Sequence, residues 1–80
     1  MSKKIKINVT QEHIDSGRPV PEMCPVALAL RDATGEGWRM GYVFMSTSIR
    51  IIPAPRSVRR WVKRFDLRKP VRPFAFWLKY

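Results

Sequence analysis

The sequence predicts a single small α+β domain, with helices packed on a small, mainly antiparallel sheet in the order βααββαβ. Three observations lead there. Both ends of the chain alternate polar and apolar residues with the period of a strand. Between them lie helical patterns that open at cap or proline signals and stop at glycine or proline. Proline- and glycine-bearing connectors separate the elements and leave no break long enough for a second domain. Eighty residues therefore make one domain, 1–80, of a size that buries only about 60–65% of its unfolded surface. A 45% hydrophobic content with nine aromatics argues for a folded chain despite the charge.

Lys3 to Thr10 alternates, with Ile5, Ile7 and Val9 on one face and Lys4, Lys6 and Asn8 on the other, as an edge or near-edge strand does. Thr10 then reads as the N-cap of a short helix over 11–16. Val9 and Ile14 form a hydrophobic staple, Glu12 sits in the first turn and Gly17 closes the end. After an irregular connector containing Pro19 and Pro21, Pro25 takes the first position of a second helix, Val26 to Ala33, which is apolar on most sides and stops at Thr34-Gly35.

Trp38 to Met45 and Ile49 to Ile52 are rich in aromatic and β-branched residues and read as a hairpin across Ser46-Thr47-Ser48, with Gly41 as a bulge. Pro53-Ala54-Pro55 makes an extended connector that delivers a third helix, roughly 55–66, which Pro70 and Pro73 keep from continuing. Phe74 to Tyr80 alternates again, with Phe74, Phe76, Leu78 and Tyr80 on one face. It forms a last strand beside the first or beside the hairpin.

Charge supplies the functional signal. The net charge is +10, and residues 56–80 hold nine cations against the single acid Asp66, whereas residues 1–55 hold seven against five. At about 100° per residue, Val58, Trp61, Val62 and Phe65 fall on one side of the third helix. Arg56, Arg59, Arg60, Lys63 and Arg64 fall on the other, and Arg68, Lys69 and Arg72 extend the run into the exit loop. An apolar side docked on a core leaves such a stripe for a polyanion: nucleic acid, an anionic membrane surface or an acidic protein face. The bland alternative is a solvated helix face.

Trp61 is assigned to the core. Trp77, alternating away from Phe76 and Leu78, points outward beside Lys79 to stack on a base or anchor a protein partner, or else forms a second packing layer under a helix. Trp38 carries no assignment as core or interface.

No reaction centre is legible. His13 has Glu12 and Asp15 nearby, but on a short helix these project in different directions, so a structural or exposed histidine is the reading. Cys24 precedes the second helix, whose amides could activate a thiol, yet its apolar neighbours mark it as core filler. One cysteine and one histidine build neither a disulfide nor the usual zinc site. Gly35, Gly37 and Gly41 match neither a phosphate loop nor a dinucleotide fingerprint. The sequence thus predicts a protein that is not an enzyme, with no cofactor, no metal and no small-molecule substrate. The longest apolar stretch, Pro25 to Leu30, is far short of the ~20 residues of a membrane span, and with no export signal a cytoplasmic location is expected.

Thr10 to Gly17 (T-Q-E-H-I-D-S-G) with Cys24 to Leu30 (C-P-V-A-L-A-L), and Arg64 to Asp66 (R-F-D) before Pro70 to Phe76 (P-V-R-P-F-A-F), give the chain a pattern that resembles a loose group of small phage and prophage proteins. The resemblance implies a virus-encoded accessory protein acting inside a bacterial host cell, on transcription, replication or immunity, including as an anti-CRISPR-type inhibitor. It carries over no catalytic residue, and the cationic third helix is no feature of the group as a whole.

Two functions follow. The first is a polyanion-binding protein whose partner is nucleic acid or a nucleoprotein complex, contacted by Arg56, Arg59, Arg60, Lys63, Arg64, Arg68, Lys69 and Arg72, with Trp77 as a further contact. The second is a protein-binding inhibitor of a host enzyme or defence complex, using the arginine and tryptophan enriched in interface hot spots. Peripheral membrane attachment is weaker, because the core needs the helix's apolar face.

Overall fold

The structure, a computed structural model, describes residues 4–79. It is an α+β domain in the order β1 (Lys4–Val9), α1 (Gln11–Ser16), α2 (Pro25–Thr34), β2 (Arg39–Met40), β3 (Phe44–Ser46), β4 (Ile51–Pro53), α3 (Arg56–Asp66) and β5 (Phe74–Lys79). The strands form two antiparallel sheets where one was expected: a β1–β5 ribbon and a β2–β3–β4 meander. α2 touches both, packing on β1 and α1 and reaching β2. That central place follows from its apolar girth, with Pro25, Val26, Ala27, Ala29 and Leu30 all buried.

The extra strand comes from Gly41. The expected strand from Trp38 to Met45 breaks at 41–43 into a tight reversal closed by the Gly41 amide on the Phe44 carbonyl at 2.8 Å, so Gly41 is a turn residue and no bulge. The reversal also shifts side-chain parity: Trp38, Met40 and Met45 are buried, which no continuous strand of period two permits. In the following hairpin, Thr47 organises a loop over 47–50, its Oγ1 accepting from the amides of Ile49 and Arg50. β4 ends the sheet, and there Pro53 is tolerated because an edge strand need not donate outward.

β5 pairs with β1, in register Ile5 to Leu78, Ile7 to Phe76 and Val9 to Phe74. These residues line the inner face and meet the core built from Val26, Leu30, Met45, Val58 and Val62. The expected contributions of Lys3 and Tyr80 to the two strands lie outside the described residues.

Local signals explain the helix ends. α1 carries a capping box, with Thr10 Oγ1 accepting the His13 amide and the His13 ring accepting the Thr10 amide. Gly35 closes α2 in the left-handed conformation at φ 78, which glycine adopts without steric cost. Gly17 works differently from expectation, because its backbone is extended at φ −75. Its missing side chain makes room instead: a Cβ would lie 2.5 Å from Pro25 Cγ. Among the described residues no helix is long and apolar enough to cross a membrane.

Candidate functional site

α3 places the cationic residues. Val58 and Val62 are buried, and Phe65 is half-buried. Trp61, expected in the core, sits half-buried at its margin in an aromatic row. Its ring stacks on Phe74 at 4.9 Å and Phe65 at 5.8 Å, and its Nε1 donates to the Arg72 carbonyl at 2.8 Å. This hydrogen bond ties the exit loop to the helix and holds the Arg72 backbone beside α3.

With that face committed to packing, Arg56, Arg59, Arg60, Lys63, Arg64, Arg68, Lys69 and Arg72 are all exposed. None of the eight forms an ion pair within 4.0 Å among the described residues, where the pairs are His13–Asp32 and Arg39–Glu22. α3 spans about 16 Å at ~1.5 Å per residue, so the stripe presents a continuous cationic edge. Arg64 has one internal commitment, Nη2 donating to the Pro70 carbonyl at 3.2 Å. The lone acid Asp66 lies half-buried at the helix end, and burial raises its pKa.

Two of these cations occupy locally costly positions. Arg56 opens a helix with no side-chain cap and no acid in its first turn, at the end where the helix dipole disfavours positive charge. Arg68 has φ 58, the one non-glycine residue with positive φ among those described. Its amide donates to Phe65 O and that of Lys69 to Arg64 O, both at 2.9 Å. This is the Schellman arrangement with arginine in the place usually held by glycine. The last-turn cations Lys63 and Arg64, by contrast, suit the dipole. Next to the motif an apolar hollow of about 380 Å³ runs between Ile14, Pro19, Phe65 and Pro70, with Arg68 and Lys69 in its wall.

The remaining candidates resolve structurally. His13 Nδ1 accepts the Thr10 amide at 3.0 Å, so the ring proton is on Nε2, which donates to Asp32 Oδ2 at 2.6 Å. His13 is thus a structural clasp between α1 and α2, and Asp15 is occupied elsewhere, accepting from Gln11. Cys24 is buried, and burial pushes its thiol up to about 11 although the nearby Val26 and Ala27 amides favour the thiolate. A hollow of about 110 Å³ brings it near Asp66, whose charge raises the thiol further, the opposite of activation. Trp38 is buried, its Nε1 donating to Thr34 Oγ1 at 2.8 Å. Among the described residues no group of three or more His, Cys, Asp or Glu is placed to hold a metal ion.

The chain matches no protein-family model, no curated protein and no solved structure.

One surface escaped the sequence reading. Tyr42, Phe44, Ile49 and Ile51 on the meander are exposed, Tyr42 to 83% and Ile49 to 76%. The signal was hidden by the reversal at 41–43, since reading 38–45 as one strand puts Tyr42 and Phe44 on the buried side with Trp38 and Met40. Trp77, by contrast, points outward as its alternation predicts, 62% exposed.

Proposed function

We propose that this chain is a non-enzymatic accessory protein that binds a polyanion, nucleic acid or a nucleoprotein complex, through the solvent face of α3 and its exit loop. The observation that carries the reading is the run of eight exposed cations from Arg56 to Arg72 with no carboxylate paired to any of them among the described residues. A solvated face would gain from interspersed acids, and it has no need of arginine in a left-handed position or at an uncapped helix start. Guanidinium groups supply paired donors suited to phosphate oxygens, and contacts of this kind position a protein without reading sequence. The resemblance to phage and prophage proteins extends the proposal to the cytoplasm of a bacterial host cell.

The test is fluorescence anisotropy with a labelled duplex across a salt series, comparing the parent with the double variant Arg60→Glu, Lys63→Glu. Binding is expected to be lost in a variant that keeps its fold, because surface substitutions shift stability by only about 0.5 kcal/mol. Parent affinity should fall with salt at a log–log slope of about −0.9 per neutralised phosphate, and each alanine substitution on the stripe should flatten it by roughly one. Full affinity in the double variant would reduce α3 to a solvated face.

A second reading, a protein-binding inhibitor of a host enzyme or defence complex, is favoured by the exposed Phe44 and Ile51, diagonal neighbours across β3 and β4, with Tyr42 and Ile49 exposed at the adjoining turns, since exposed apolar surface marks interaction sites. Pull-down from bacterial lysate with and without nuclease separates the two. A partner that survives nuclease and is lost on Ile49→Ser, Ile51→Ser supports inhibition.

A further inference from the structure

We propose that the outer face of the β1–β5 ribbon is a second binding surface, a platform for single-stranded nucleic acid. On it Trp77 stacks on an unpaired base while Lys4, Lys6 and Lys79 take the flanking phosphates. The ribbon register sets the arrangement. Trp77 lies directly across from Lys6, and Lys4 lies across from Lys79, so that Lys4 and Asn8 are the diagonal neighbours of the indole. Ala75 and Lys79 stand two residues to either side of it on β5. All six side chains are on the exposed face, opposite the inner row of Ile7, Val9, Phe76 and Leu78 that enters the core. Same-face residues are about 7 Å apart along a strand and neighbouring strands about 4.8 Å apart, so three lysines flank one indole within reach of a single nucleotide and its neighbours.

The composition of this face works against the fold and for a ligand. Like charges directly opposite each other destabilise a strand pair, yet Lys4 faces Lys79, and none of the three lysines has a carboxylate within 4.0 Å among the described residues. Lysines on edge strands do guard against unwanted strand pairing, and both strands of a two-stranded ribbon are edges. That role does not call for a tryptophan 62% exposed in their midst, which adds the kind of apolar surface the guard is there to offset. Small neighbours, Ala75 and Asn8, leave the indole open on the side away from the lysines. A base already stacked in a duplex cannot present its face to an indole on the ribbon surface, whereas an unpaired base can, and aromatic stacking accepts any base because every base has a π-face. The platform therefore takes single strands without strong sequence preference, and it does not depend on α3.

The experiment uses the full chain and fluorescein-labelled oligo(dT) and oligo(U) of roughly 15 nucleotides, within the range of single-strand site sizes, together with a duplex of the same length. Trp77→Ala, Trp77→Phe, Lys6→Ala and the α3 double reversal are compared with the parent by anisotropy, with circular dichroism confirming each fold. Trp77→Ala is expected to weaken single-strand binding by roughly 5- to 150-fold and duplex binding by much less. Trp77→Phe should restore most of the loss, and Lys6→Ala should flatten the salt slope by about 0.7. Unchanged single-strand affinity in Trp77→Ala overturns the proposal, as does an equal loss on single strand and duplex, or a polyglutamate chain binding as tightly as oligo(dT). If the α3 reversal abolishes duplex binding while Trp77→Ala changes nothing, the platform fails and the role of α3 stands. If Trp77→Ala acts as expected while the α3 reversal is silent, the opposite holds.

Discussion

His13 and Asp32, nineteen positions apart, are joined by a 2.6 Å contact between Nε2 and Oδ2 while the other ring nitrogen accepts the Thr10 amide. One side chain thus completes the N-terminal cap of α1 and fastens that helix to the end of α2. A six-residue helix is too short to persist alone, so α1 depends on this clasp and on Ile14 packing against the core.

Thr10→Ala should therefore cost about 1 kcal/mol of unfolding free energy in denaturant melts, the usual loss on removing a cap. His13→Gln, which can still reach back to the Thr10 amide as a capping-box residue, should cost less than His13→Ala. Equal losses for the two histidine variants would mean that the cap contributes nothing.

Arg68→Gly should stabilise the domain by roughly 1 kcal/mol, because glycine accepts the left-handed conformation that arginine holds at φ 58. The same substitution should weaken polyanion binding if the stripe on α3 works as proposed. Thermal melts and anisotropy on one variant read both effects, and a gain in stability with undiminished binding would remove Arg68 from the contact surface.

Cys24 should resist alkylation at mildly alkaline pH in the native protein and react on unfolding, since its thiol is buried and pushed up to about 11 from an ordinary 9.0. The linkage has a definite sign. Between pH 9 and about 11 the unfolded thiol ionises while the native one stays protonated, so the unfolded state binds fewer protons and stability falls as pH rises. The slope approaches about 1.4 kcal/mol per pH unit, and Cys24→Ala should lack that component.

Trp61→Phe should retain stacking on Phe74 and Phe65 but lose the hydrogen bond to the Arg72 carbonyl, costing about 1 kcal/mol. Trp61→Ala should cost more, on the order of 3 kcal/mol, because the aromatic row loses its central ring. Equal stability of the phenylalanine variant and the parent would show that the Arg72 tether is idle.

Where a segment's own period decided its fate, the sequence by itself determined the outcome. The third helix is an example: Val58 and Val62 recur at helical spacing and are buried, so Arg59, Arg60, Lys63 and Arg64 on the opposite side had to face water. The alternation of Phe76 and Leu78 with Trp77 settled which way the indole points once either side of β5 met the core. Thr10 announced the start of α1 because capping is a contact between near neighbours in the chain. Tertiary structure decided whatever joined distant segments or altered the period within one. The pairing of β5 with β1 rests on which apolar face α2 covers, and the clasp from His13 to Asp32 on how two helices dock. At Gly41 a three-residue reversal shifted the parity of the meander and moved Tyr42 and Phe44 to the surface, a shift that a period-two pattern does not encode. Arg68 entered the left-handed region with no glycine to signal it, because the chain reverses there as it leaves α3, the amides of Arg68 and Lys69 bonding back to the Phe65 and Arg64 carbonyls.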